Sequence, residues 1–295
     1  MSHVVHALHV ALAYAGRVAL VTGIELSLVL GPPIALAALA QPVALQSERW
    51  TERLVGRRVR WIAAGWLATA LHEGGHALFA LLFGHRLRRV KWFDFAAEGG
   101  TLGQVEHDYD PSSFYQRAGR FFIGVGPILL GGLVLLLAAR TLLGPLASAG
   151  RPAVEGSDAA TLEATLGALV AQLGAAARGA GRIGASIDAS GWRGLAFLYV
   201  AYVCGGAMRL SSSDVRSFAA GGWTMLCLLC LANAVTLWAS TAGPGVAVRV
   251  AAAMTLCNAA LIAAVVLQLI VGVIALSLGL SMSAVRGRDA VTANG

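Results

Sequence analysis

The chain predicts an all-α polytopic membrane protein of about six transmembrane helices, with a small β-hairpin beside a reactive centre. Three observations predict it. Of 295 residues, 57% are hydrophobic and only 13% charged, with a mean hydropathy of +0.72; soluble domains carry about 25% charged residues. Five or six apolar runs approach the roughly 20 residues that cross a bilayer as a helix. One polar stretch between them has strand periodicity. The net charge of +7 is not a nucleic-acid signal in such a chain, because basic residues gather at the flanks of spans.

The first span is Val18 to Ala40, interrupted by Glu25 and by Gly31-Pro32-Pro33, so a kinked or re-entrant helix is expected. An Arg-rich connector follows, QSERWTERLVGRRVRW. The second span is Trp61 to Phe83. From Gly84 to about Arg120 the chain is mostly polar. Within it, Val90 to Phe95 and Thr101 to His107 flank Ala96-Ala97-Glu98-Gly99-Gly100 and predict a hairpin with glycines in its turn. The third span is about Phe121 to Leu143. An Ala/Gly-rich, extramembrane region covers about 144–190, helical in part. Spans follow at about Gly191 to Met208, Phe218 to Ser240 and Val248 to Leu280, the last longer than one crossing needs. The implied organisation is residues 1–60, a core over 61–240, and a C-terminal helix and tail over 241–295.

Other features carry less. Cys204, Cys227, Cys230 and Cys257 all lie in apolar runs and read as buried small hydrophobes, Cys227-Leu-Leu-Cys230 included. No cleavable leader is read at the N-terminus. No repeat pairs interrupted helices, as a transporter's halves would. Arg and Lys tie across the two sides, leaving orientation open. Lys91 is the only lysine among 22 basic residues, a usage associated with GC-rich bacterial genomes and hence with a multi-pass protein of the bacterial inner membrane.

Chemistry concentrates in LHEGGHALFA, residues 71–80. Ionisable groups at membrane depth are costly and usually functional. His72 and His76 stand one helical turn apart on one face and can share a metal ion. With Glu73 between them they form H-E-x-x-H, in which the histidines bind Zn2+ and the glutamate is general base. Zinc lowers the pKa of a bound water to about 7, and Glu73 is placed to take its proton and pass it to a leaving amine. Gly74-Gly75 weakens the helix by up to about 2 kcal/mol relative to alanine, which makes sense if another backbone must come close.

A catalytic zinc needs a third protein ligand. Asp214, in MRLSSSDVRSFAAGG, is the best candidate. It also reads as the N-cap of the following span; one carboxylate does not easily serve both roles, and Ser212 or Ser213 can cap instead. Glu98 and His107 are rival ligands. Glu25 has no assigned role, with pairing to an arginine or exposure to a wet groove both open.

HEGGHALFALLFGHRLRRVKWF resembles the start of the core of site-2 proteases, the membrane-embedded zinc metalloproteases. Phe83-Gly84, the hairpin region and Gly126-Pro127 follow in that family's order, and Asp214 matches its later aspartate ligand. The resemblance covers roughly 61–240. It implies a zinc endopeptidase acting on transmembrane or membrane-associated proteins, with Glu73 as catalytic base. The family's Asn/Pro-rich run ending in Leu-Asp-Gly is replaced by Leu210-Ser-Ser-Ser-Asp214, and no PDZ-like domain is present, so the chain resembles a minimal, divergent branch. The hairpin can pair with an unwound substrate or simply plug the groove. Rival readings are a non-proteolytic zinc-binding membrane protein and a transporter. Substrate and oligomeric state stay open.

Overall fold

The computed structural model describes residues 2–97, 102–144, 162–239 and 245–292. It is mostly helical: α1 (Ser2–Val55), α2 (Arg57–Arg60), a π-helical turn Trp61–Gly65, α3 (Trp66–Leu82), β1 (Arg86–Lys91), β2 (Gln104–Asp108), α4 (Phe114–Ala138), α5 (Leu162–Ala185), α6 (Trp192–Ala207), α7 (Ser212–Ala239) and α8 (Gly245–Thr292). Among the described residues, four helical stretches are long and apolar enough to cross a membrane: His3–Val55, Phe114–Leu143, Ser212–Trp238 and Asn258–Met282. The other two expected spans appear as α3, of 17 residues, and α6, of 16. At 1.5 Å per residue these rise only about 24–26 Å.

Two expectations are corrected in α1. The helix runs unbroken through Pro32, Pro33 and Pro42, so of the kinked or re-entrant forms expected the re-entrant one is excluded. It also absorbs the Arg-rich connector as far as Val55. Glu48 and Glu52 fall on one helical face there, and both meet Arg60, so the polar segment satisfies its charges sideways without leaving the helix. Gly56, at φ 87°, makes the turn into α2.

The second span ends where the sequence places Phe83-Gly84. Gly84 adopts φ 72°; its N–H donates to the Leu81 carbonyl at 3.0 Å and the His85 N–H to the Ala80 carbonyl at 2.8 Å. These two bonds form a Schellman cap, which needs a left-handed residue there. The hairpin exists, but its strands begin and end elsewhere. Arg86 pairs with Asp108, Leu87 with His107 and Val90 with Val105, with a bulge between Leu87 and Arg89. Trp92 to Phe95 do not join the ladder; Phe93 packs edge-on to Trp61, centroids 5.8 Å apart. The expected glycine turn at Gly99-Gly100 lies outside the described residues.

α4 is the central helix, with α3 and α7 against it. Ser113 caps its N-terminus, accepting from the Gln116 N–H at 3.3 Å. Small residues set its crossings, as expected where lipid supplies no hydrophobic drive between helices. A β-carbon on Gly75 would lie 2.5 Å from Pro127 N, and one on Gly126 2.6 Å from Gly75 O. On the other side, one on Gly124 would lie 2.5 Å from Phe218 N and 2.7 Å from Asp214 O. Behind these crossings Leu135, Phe197, Cys204 and Leu261 form a buried apolar cluster joining α4, α6 and α8.

Candidate metal centre

The close backbone contacts bring two helices' worth of chemistry to one point. α3 presents His72 and His76, and α7 presents Asp214 at its N-terminus. His76 Nε2 lies 3.1 Å from Asp214 Oδ1, His72 Nε2 lies 3.6 Å from Asp214 Oδ2, and the two Nε2 atoms are 3.1 Å apart. Donors around a tetrahedral zinc, about 2.0–2.1 Å from it, stand roughly 3.3–3.4 Å from one another. Glu73, His76 and Asp214 are buried.

The other ring nitrogens fix the tautomers. His72 Nδ1–H donates to the Ala207 carbonyl at 2.8 Å, and His76 Nδ1–H to the Ile123 carbonyl at 2.7 Å. Both imidazoles therefore turn an Nε2 lone pair toward the carboxylate, the arrangement that carbonyl partners impose on metal-binding histidines. With both imidazoles neutral, three acceptors meet, one from each residue and all within 4.8 Å. The donor set fits a cation, and the His72/His76/Asp214 group can hold a metal ion.

Asp214 takes part in a cap and also faces the two histidines. Its Oδ2 accepts the Ser211 N–H at 2.6 Å, and Ser211 Oγ accepts the Asp214 N–H at 3.3 Å. This is a reciprocal capping box with aspartate in the glutamate position; the cap is Ser211, neither Ser212 nor Ser213. The same carboxylate faces both histidines: Oδ1 lies toward His76, while Oδ2, which accepts from Ser211, also lies 3.6 Å from His72 and keeps a second lone pair.

The remaining candidates fall elsewhere. His107 does not join the group: it pairs with His85, Nδ1 to Nδ1 at 2.9 Å. Glu98 lies outside the described residues. Glu25 is buried, and among the described residues its partner is an amide and no arginine. Its Oε2 accepts from Asn233 Nδ2 at 2.6 Å, and that amide also donates to Thr22 Oγ1 at 3.0 Å, tying α1 to α7. Gly74 does not meet a second backbone; a β-carbon there would make only ordinary contacts with Leu130 and Trp92. Cys204, Cys227 and Cys230 are free, and Cys227 is exposed.

Sequence reasoning missed Gly103. The chain entering β2 crosses directly over Glu73, and a β-carbon on Gly103 would lie 2.7 Å from Glu73 Cγ and 2.6 Å from Thr69 Cγ2. It also missed the Ala207 and Ile123 carbonyls, which no side-chain pattern encodes. A cavity of about 350 Å3 reaches His72 and Glu73. No family model, curated protein or solved structure matches the chain.

Proposed function

We propose that the protein is a site-2 protease-like zinc endopeptidase of the bacterial inner membrane, hydrolysing peptide bonds of transmembrane or membrane-associated proteins. One observation carries the reading. Acceptor atoms on His72, His76 and Asp214, one from each, converge to within 4.8 Å of one another, with a glutamate outside that group, Glu73, next to the first.

A zinc ion bound there would supply Lewis acidity and an acidified water. The chain's own residues do the rest. The Ala207 and Ile123 carbonyls hold the imidazoles so that each Nε2 stays a lone-pair donor. Ser211 holds the Asp214 carboxylate through its N–H. Glu73 moves the proton: its carboxylate receives one from the attacking water and returns it to the leaving nitrogen. Gly103 passes close over one side of Glu73, which is buried, and burial strengthens the polar interactions it makes.

The test is the purified protein, with its metal content measured, set against Glu73→Gln. The reading expects one zinc per chain in both and loss of cleavage in the variant by at least about 100-fold. Zinc in both with unchanged function in Glu73→Gln would instead favour a non-proteolytic zinc protein. Absence of tightly bound metal, with transport in liposomes, would favour a transporter.

A further inference from the structure

The cavity that reaches His72 and Glu73 also has a charged wall that the hydrolytic roles leave unused. Glu48 of α1, Arg60 of α2 and Arg209 of the α6–α7 link all line it. A cleft shaped only for an apolar transmembrane segment has no need of two guanidinium groups. Arg60 is already engaged: its Nε and Nη2 stand 2.8 and 2.7 Å from one oxygen of Glu52. Glu48 Oε1 is a further 3.7 Å from Arg60.

Arg209 is differently placed. Its Nη1 meets Glu48 Oε2 at 3.0 Å, and its Nε donates to the Gly206 carbonyl at 3.2 Å. Its Nη2 has no partner among the described residues, and the side chain is 32% exposed. A guanidinium presents five donors in a planar fork that matches a carboxylate, so the open edge of Arg209 is an anion receptor facing the cleft. Two successive backbone carbonyls connect it to the histidine group. The Gly206 carbonyl orients Arg209 and the next carbonyl, of Ala207, orients His72. Both belong to the last turn of α6, whose carbonyls have no helical partner.

We propose that Arg209 forms a carboxylate-binding subsite of this cleft, receiving an acidic side chain or the terminal carboxylate of a peptide that passes over His72 and Glu73. The inference rests on the proteolytic reading above. A peptide fits better than a lipid headgroup because the cavity runs from the charged wall to Glu73 itself, alongside Leu102 and Gly103.

Binding is read separately from turnover. Fluorescent peptides identical except for Glu, Gln or Lys at one scanned position, each with a free or amidated C-terminus, are titrated against zinc-loaded Glu73→Gln protein in detergent. At the matching position, or at the free terminus, the acidic form binds about tenfold tighter than its neutral counterpart, as a charge-assisted pair would give. Adding Arg209→Glu removes that preference. Because Arg209→Glu sets two carboxylates together, the exchange Glu48→Arg/Arg209→Glu is run beside it; it keeps the ion pair and still loses the preference for acid at that position. Equal binding of all peptides, or a preference that survives both variants, overturns the proposal. So does selective competition by phosphatidylglycerol micelles with no discrimination among peptides, which assigns Arg209 to headgroups. Discrimination by the Glu73→Gln protein alongside a wild type that cleaves nothing leaves the subsite standing and removes the protease. Cleavage without discrimination does the reverse.

Discussion

The molecule contains two histidine pairs of nearly the same dimensions. His72 and His76 have ring centroids 4.8 Å apart, and so do His85 and His107. Their closest nitrogens are separated by 3.1 and 2.9 Å. Only one pair is a candidate metal centre, and the difference lies in where the protons go. Both rings of the first pair spend their N–H on backbone carbonyls, so two lone pairs and a carboxylate face each other. In the second, His85 donates Nε2–H to the Gln116 carbonyl at 2.9 Å, which leaves its Nδ1 to accept from His107. That pair closes on itself with one N–H···N bond, and no carboxylate completes a ligand group with it among the described residues. Proximity of imidazoles is therefore no signature of a site; a surplus of acceptors is.

The largest expected effect separates the pairs outright. His76→Ala takes metal content from one ion per chain to background, whereas His107→Ala leaves it unchanged, by plasma emission spectroscopy on matched preparations. Next comes the carboxylate. Asp214→Asn keeps an acceptor for the Ser211 N–H but removes the charge, so α7 keeps its cap while zinc affinity falls by at least about 100-fold, beyond the 10–100-fold that loss of an outer hydrogen-bond partner costs. Competition with a chromophoric chelator measures it.

A third, smaller effect concerns the crossing that places His76. Gly75→Ala forces a methyl against the Pro127 backbone and destabilises the fold by about 1–3 kcal/mol. The neighbouring Gly74→Ala is neutral, or favourable by up to about 1 kcal/mol through helix propensity. Thermal unfolding in detergent compares the two.

The smallest effect is on the second pair. Burial, and then the adjacent His85, push His107 down to about 4 from an ordinary 6.5. The open hairpin therefore takes up a proton more readily than the closed one between those values. Hairpin stability is full above about pH 6.5 and declines as pH falls toward 4. Amide exchange at Val90 and Val105 should rise about three- to tenfold over that range, given the partial exposure of His107. His107→Gln should flatten the dependence.

What the sequence made legible follows from distance along the chain. His72, Glu73 and His76 are visible because helical periodicity alone puts them on one surface of α3. The Phe83-Gly84 stop is visible because few residues besides glycine accept the left-handed cap. Asp214 could be chosen only by residue type and order, since its approach depends on glycine crossings of α4 whose partners lie far away in sequence. The carbonyls of Ala207 and Ile123 leave no trace in residue identity. The aromatic run Trp92 to Phe95 looked like strand because its residues suit a sheet, yet contacts such as Phe93 on Trp61 claimed it. Residues 46–60 looked like a connector because they are charged; Arg60 and Arg209 neutralise Glu48 and Glu52 from neighbouring elements and let the helix continue.

The central claim is that one cation belongs to the His72/His76/Asp214 group. Anomalous diffraction at the zinc absorption edge, from crystals of the purified protein, tests it most directly. The account predicts a single strong peak about 2.0–2.2 Å from His72 Nε2, His76 Nε2 and an Asp214 oxygen. A peak between His85 and His107 instead, or none in protein that retains full activity, would contradict it.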